Sequence, residues 1–384
     1  MKIGMFTIKA AETLGTEGFM FFHRLRNRKL PSWAAVLLAA ALALAGCAGA
    51  GGGGASGAGA PGMAAGGGAG GDGKLTVVAT FFPLYDLAAR IGGGRVSAVS
   101  LIPTGVEPHD WSPKSRDMMN IAEAGVFIYQ GAGFEGWTEE VLAGLDTSKM
   151  VIVEASAGIE LLSASEESHE HEHEHEHGHG HDHGDTDPHT WVSPRSALRM
   201  AENIFEGLIR ADPEHEAAYR ENYEKLREEL AALDAAYTER LSAAVRREMV
   251  VSHRAFGYLA RDYGLEQVSI LGLSPDGEPT AQDLKEISRF VKERGVTTIF
   301  TERLSSAKLA ETLARDLGVA TAPLHPLEGL TKEEAAAGET YISLMYANLA
   351  QLAAALGAPE AGNAGSGAAS GAAQSNGGKE GRTQ

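Results

Sequence analysis

Thiols are nearly absent. The 384 residues contain one cysteine, Cys47, so no intramolecular disulfide can form. An excess of positive charge is absent too, since 33 Lys and Arg stand against 51 Asp and Glu for a formal net charge of −18. That balance argues against nucleic acid as a partner and suits the attraction of cations. Outside the alternating His-Glu tract of residues 169–179, the zinc-peptidase pattern H-E-x-x-H does not occur. From Ser163 to Pro188 there is neither Lys nor Arg, and little that is apolar.

Histidine and carboxylate fill that segment instead. His169, His171, His173, His175, His177, His179, His181 and His183 occupy every second position, and nine acidic residues share residues 163–188 with them. Imidazole is a good ligand for zinc, copper and nickel, and a tract this dense reads as metal binding. Too little of it is apolar to offset chain entropy, so it predicts an exposed loop with weak, multivalent metal affinity. The alternative is a solvated acidic linker. Either way, an ordered site has to come from elsewhere in the chain.

The first 46 residues carry Lys2, Lys9, Arg24, Arg26, Arg28 and Lys29 against Glu12 and Glu17. An apolar, alanine-rich run over residues 30–46 follows the basic cluster, which is the pattern of a signal peptide. Leu44-Ala45-Gly46-Cys47 resembles a bacterial lipobox. That resemblance implies cleavage before Cys47, lipid attachment to it, and an extracytoplasmic lipoprotein held at the membrane. An uncleaved anchor or a buried thiol is the alternative, but an alanine-rich run shorter than about 20 residues is marginal for spanning. The basic cluster starts late, so Met20 is a candidate start. Fourteen glycines among residues 48–73 then read as a flexible tether with a span of about 28 Å.

Folded sequence is expected from residue 74. Strand patterns at 75–79, 96–102, 126–129 and 150–153 alternate with helical patterns at 83–91, 113–124 and 136–145. This alternation predicts a parallel sheet covered on both faces. After a helix at 194–210, Asp212-Pro213 opens a long helical pattern over 212–246. Tyr219, Tyr223, Leu226, Leu230, Leu233, Tyr237, Leu241 and Val245 form its single apolar stripe, on a helix of about 34 residues and about 50 Å. Such a helix is expected to join two lobes, with a coiled-coil dimer as the alternative. Strands at 249–252, 267–271, 297–300 and 319–322 then alternate with helices at 256–263, 281–293, 307–317 and 339–355. Thr280 and Asp283 suit a capping box. The expected layout is an α/β protein with a signal peptide (1–46), tether (47–73), first lobe (74–211, with the His-rich loop at 163–187), linking helix (212–246), second lobe (247–356) and disordered tail (357–384).

Four places put a metal-competent side chain just beyond a predicted strand or loop. They are His109 in GVEPHDWSP, His189 in DPHTW, His253 in VVSHRAFGYLA and Glu328 in PLHPLEGL. Ligands of open α/β sheets bind beyond the carboxyl ends of the strands, so two facing lobes would gather these four around one ion. Three imidazoles and a carboxylate suit tetrahedral zinc. Glu302 also ends a strand and is the competing fourth ligand, preferred as a group that orients a ligating histidine. Glu107 is a further oxygen donor or a solvated turn residue.

These segments, in this order over residues 75–355, resemble the zinc-type solute-binding proteins of ABC importers, the ZnuA/AdcA kind. The resemblance implies two (β/α) lobes joined by one long rigid helix, with the metal in the interlobe cleft. It implies His109, His189, His253 and Glu328 as ligands, and a histidine-rich loop ahead of the second of them. Related manganese proteins carry a carboxylate where His253 stands, which favours zinc here. The chain departs from the pattern at His325, where members often carry Asp; His325 reads as incidental. The expected function is capture of Zn²⁺ outside the cytoplasm and delivery to an ABC permease by a monomer, with no reaction catalysed. The alternatives are a manganese or iron binder of the same type, a secreted zinc hydrolase, and a surface adhesin that uses the metal structurally.

Overall fold

The chain builds its first sheet from short strands of β-branched and aromatic residues, each followed by a helix that returns the chain to the same edge. In the computed structural model, residues 73–164 and 186–359 are described. Cys47, the expected signal peptide, most of the tether, the His169–His183 tract and the tail beyond 359 lie outside them. Strand β1 (Leu75–Ala79) leads through α1 (Phe82–Gly92) to β2 (Val96–Ser100) and α2 (Ser115–Ala122). The chain continues through β3 (Val126–Tyr129), α3 (Thr138–Ala143) and β4 (Val151–Glu154). All pairings are parallel, in the order β2-β1-β3-β4.

Helices α4 (Pro194–Ala211) and α5 (Glu216–Ser242) follow. The second sheet then repeats the first design. Its elements are β5 (Glu248–Val251), α6 (Gly257–Tyr263), β6 (Glu266–Ser269), α7 (Ala281–Arg294), β7 (Thr298–Thr301), α8 (Lys308–Leu317) and β8 (Ala320–Pro323). The order is β6-β5-β7-β8, again all parallel, and α9 (Lys332–Ala337) and α10 (Tyr341–Ala355) close the described chain. In each sheet the order reverses beside the first strand, which opens a crevice at the strands' carboxyl ends.

Alternation along the strands divides the core. Val77 and Ala79 face one way and Val78 the other; Met249 and Val251 likewise oppose Val250. The inward faces of both sheets belong to one continuous core with α1, α4, α5, α6 and α10. The outward faces pack into two separate clusters, one around Ile121 and Phe127 and one around Ile287 and Ile299. A shared, close-packed core resists relative movement of the lobes.

Helix α5 joins the lobes as expected, but it is shorter. Its 27 residues span about 40 Å. At its start Asp212 accepts from Tyr219 Oη at 2.6 Å and pairs with His215, holding a single 3₁₀ turn at Pro213–His215. At its end the Arg247 guanidinium donates to the carbonyls of Leu241 and Ser242, which terminates the helix before residue 246. The stripe of Tyr219, Leu226, Leu230, Leu233, Tyr237 and Leu241 is buried, while Val245, beyond the helix end, is 79% exposed. Helices α1, α4 and α10 cover that stripe, so it is consumed within one chain. Each buried leucine there contributes about 1.5–3 kcal/mol.

Helix α9 has no counterpart in the expected pattern. Its only apolar residues are three consecutive alanines, of which Ala335 packs against the core, and a capping box between Thr331 and Glu334 starts it. The box expected at Thr280 and Asp283 is present, with bonds of 2.8 and 3.2 Å. Among the described residues no helix is long and apolar enough to cross a membrane.

Candidate metal centre

His109 sits on the loop between β2 and α2, held by the residue two before it. Both Glu107 carboxylate oxygens accept from the His109 backbone N–H at 3.1 Å, across Pro108. The ring lies edge-on to Phe134, with centroids 5.2 Å apart. His189 uses the same local device one step further. Asp187 Oδ1 accepts the His189 backbone N–H at 2.9 Å and lies 2.7 Å from the ring Nδ1. Gln130 fixes the rest of that segment, donating to Pro188 O at 3.1 Å and Thr190 Oγ1 at 2.7 Å. The buried Glu135 carboxylate shapes the Gln130 loop in turn, accepting from Thr80 Oγ1, Gln130 N and Gly131 N. Burial pushes its carboxyl up to about 7 against those three bonds.

In the second lobe His253 follows the end of β5. Glu302, at the end of β7, reaches it from the neighbouring strand, accepting the backbone N–H at 3.1 Å and facing Nδ1 at 2.7 Å. Glu328 comes from the loop after β8. Leu327 beside it has φ +62°, a left-handed conformation that costs a leucine about 1–3 kcal/mol. Trp191 Nε1 donates to Pro326 O at 2.8 Å, and Gly105 N donates to Leu330 O at 2.8 Å. The loops carrying His109, His189 and Glu328 are therefore tied to one another directly.

Four side chains converge. One ligand atom from each of His109, His189, His253 and Glu328 lies within 4.8 Å of all the others. Glu328 Oε1 is 3.2 Å from His109 Nε2, 3.4 Å from His189 Nε2 and 3.1 Å from His253 Nε2. His109 Nε2 and His189 Nε2 are 3.3 Å apart. A tetrahedral zinc with bonds of about 2.0–2.2 Å needs ligand atoms about 3.3–3.6 Å apart. Four of the six separations, at 3.1–3.4 Å, are close to that spacing, and all four side chains are buried.

The electrostatics point the same way. Burial would drive Glu328 up, but His253 and His109 outweigh it and hold the carboxyl well below its ordinary range. Burial would drive His253 down, and Glu302 and Glu328 hold it well above its ordinary value instead. Asp187 likewise holds His189 up against burial. His109 follows burial and is lowered. This is a pocket that stabilises positive charge, and a divalent cation can take the place of the protons.

Of the residues singled out in the sequence, the structure brings His109, His189, His253 and Glu328 together. It places Glu302 behind His253, on the far ring nitrogen. Glu107 stands outside the four, on the His109 backbone, and burial together with the charge of Glu328 pushes it up to about 7. With Val106, Asp110, Trp111 and Asp276 it lines a cavity of about 620 Å³. The eight histidines from His169 to His183, and Cys47, are outside the described residues. His325, incidental on the sequence reading, is buried and bonded to the loop that presents Glu328. Sequence reasoning missed Asp187. The available signal was spacing: Glu107-Pro108-His109 and Asp187-Pro188-His189 are the same acid-proline-histidine triplet. The roles of Gln130, Glu135 and Trp191 were missed as well; Trp191 ends the DPHTW segment, while no local motif marks Gln130 or Glu135.

The family profile described as "Zinc-uptake complex component A periplasmic", ZnuA, matches residues 77–355. The high-affinity zinc uptake system protein ZnuA of Bacillus subtilis is 42% identical over 276 residues, covering 72% of this chain and 86% of that protein. The zinc-binding lipoprotein AdcA of Streptococcus pneumoniae is 40% identical over 281 residues, covering 73% of this chain. The match spans 56% of the AdcA length, so this chain corresponds to about half of that relative. The crystal structure of the Zn(II)-bound ZnuA-like domain of Streptococcus pneumoniae AdcA superposes with a TM-score of 0.63 at 37% identity, covering 74% of this chain and 99% of that one. Two parallel sheets with the same strand order, a buried group of three histidines and one glutamate between them, and a profile match across nearly all of the described chain lead to one conclusion: the protein belongs to the ZnuA family of zinc-uptake components.

Proposed function

We propose that this protein captures Zn²⁺ outside the cytoplasm as cargo and hands it to the permease of an ABC importer. His109, His189, His253 and Glu328 are the four ligands. The observation that carries the reading is the convergence of their four buried ligand atoms to within 4.8 Å of one another. Asp187 and Glu302 keep the proton of their histidines on Nδ1, which leaves each Nε2 lone pair free for the metal. Three imidazoles favour zinc over manganese, whose sites are richer in oxygen. Four protein ligands close the coordination shell, so no metal-bound water is set up for hydrolysis and no reaction follows. The stiff α5 and the shared core keep closure on the metal small.

The expected layout completes the reading. Cys47 carries the lipid that holds a monomer at the membrane, residues 74–211 and 247–356 form the two lobes around the 212–246 link, and the His169–His183 tract collects zinc with low affinity near the cleft. Elemental analysis of the purified full chain, with a competition titration against a chelator, tests the proposal. One tight equivalent of zinc, abolished in His253→Ala, is expected. One equivalent of manganese with little zinc would overturn the choice of metal. A peptidase or esterase activity lost in His253→Ala would favour the hydrolase instead.

A further inference from the structure

Three loops around the centre contain a triplet with proline in the middle: Glu107-Pro108-His109, Asp187-Pro188-His189 and His325-Pro326-Leu327. In each, the first side chain accepts a hydrogen bond from the backbone N–H of the third residue, at 3.1, 2.9 and 2.8 Å. Proline has a fixed φ and no N–H, so the acceptor two residues back of the next N–H sets the turn. The first two triplets end on the site histidines themselves. The third ends one residue before Glu328.

We propose that His325 is the third copy of this device, a positioning residue that aims Glu328 through the backbone N–H of Leu327. The inference rests on Glu328 being a zinc ligand. The rest of the segment is already pinned. Asn348 accepts from His325 N at 2.8 Å and donates to His325 O at 2.7 Å, and Trp191 holds Pro326 O. The peptide entering Leu327 is the next link, and it carries the left-handed φ that turns the chain toward the centre. Leu327 is fully buried, so its N–H has no solvent to fall back on if the imidazole is removed. To accept that bond, His325 must be neutral at Nδ1, with its proton on Nε2. Nε2 faces Glu334 Oε2 at 3.4 Å, and the same carboxylate is held by Thr331 N at 2.9 Å and Arg303 Nε at 3.3 Å. A carboxylate behind the ring thus fixes the tautomer, as it does for His189 and His253, but here the acceptor nitrogen faces the backbone. His325 does not touch the ion; its nitrogens are both engaged elsewhere.

The test compares His325→Ala and His325→Asp with Glu328→Ala in the full chain. Zinc release to a chromogenic chelator and the visible bands of the cobalt(II)-loaded protein are measured. His325→Ala should release zinc about 10-fold faster or more, with altered cobalt bands, because partners of a ligand loop typically matter at that level. His325→Asp should restore both readouts, since Asp187 already performs this job in the same triplet. A His325→Ala protein with wild-type release and spectrum overturns the proposal. So does a folded His325→Asp protein that releases zinc about 10-fold faster than the wild type, a comparison that decides the matter even if His325→Ala fails to fold. Wild-type binding in Glu328→Ala would instead sink the ligand assignment on which the proposal stands.

Discussion

Glu302 grips His253 twice, taking the backbone N–H with one oxygen at 3.1 Å and facing the ring Nδ1 with the other at 2.7 Å. Asp187 grips His189 in the same manner with a single oxygen. The two pairs come from different lobes and reach the same result by different routes, one through a neighbouring strand and one through a local turn. Both direct Nε2 inward and raise the basicity of the ring.

Removing either carboxylate should therefore weaken zinc binding without removing a ligand. Glu302→Ala and Asp187→Ala are each expected to lose about 10–100-fold in zinc affinity. Glu302→Gln and Asp187→Asn keep an acceptor but not the charge, and should lose less. Competition against a chelator of known affinity reads all four. Equal losses in the Ala and amide variants would show that charge alone matters and orientation does not.

Gly257, at the start of α6, lies close against Asp187. A Cβ there would lie 2.7 Å from Asp187 Oδ2 and 3.3 Å from Leu162 Cδ1. Asp187 is already committed to His189, so it has little room to retreat. Gly257→Ala is expected to cost about 1–3 kcal/mol of stability and to lower zinc affinity together with it. Chemical denaturation and the same chelator competition measure both. Unchanged binding would mean that the carboxylate shifts without moving the histidine.

The base of the histidine-rich segment is closed by the described chain on either side. Ser163 and Thr186 form an antiparallel bridge, and Asp187 N donates to Leu162 O at 2.8 Å. Replacing residues 165–185 by a short linker should then leave the fold and one tight zinc site intact, while weaker binding is lost. Calorimetry of zinc binding to the shortened protein shows this directly. Loss of the tight site would mean that the four-ligand centre is misassigned.

Asp86 on α1 is buried and accepts from Tyr341 N at the start of α10, at 3.2 Å. Burial pushes its carboxyl up to about 6, with the nearby Arg90 opposing. A raised acid favours the folded state most below its ordinary value of 3.8, and that contribution is lost as pH climbs through about 6. Asn at this position keeps the acceptor and has no charge to bury. Asp86→Asn should gain on the wild type by up to about 3 kcal/mol between pH 4 and pH 7. Urea unfolding of the zinc-free proteins across that range checks it. A constant difference would mean that Asp86 is solvated in the folded state.

Much of the fold was legible because its signals are local. The runs Val77–Ala79 and Met249–Val251, the cap at Thr280, and the spaced leucines of α5 each express a preference that neighbours a few residues away can satisfy. Where the reading drifted, the deciding feature was hydrogen bonding that leaves no apolar period. Arg247 closes α5 early from beyond its end, and α9 has no apolar period to announce it. Asp187 could have been read from its spacing alone, since Glu107-Pro108-His109 is the same triplet. Glu302 could be suspected, but its partner could not be named.

The sequence by itself determined most of the elements, their alternation, and the four side chains able to bind a metal, because residue type and short-range period carry that information. Only the tertiary structure decided which nitrogen of each histidine faces inward, which carboxylate joins the three histidines and which stands behind one, and that Trp191 and His325 hold the loops in place. Those outcomes depend on distances of about 3 Å between residues far apart in the chain, and hydrogen bonding at that range has no trace in local composition.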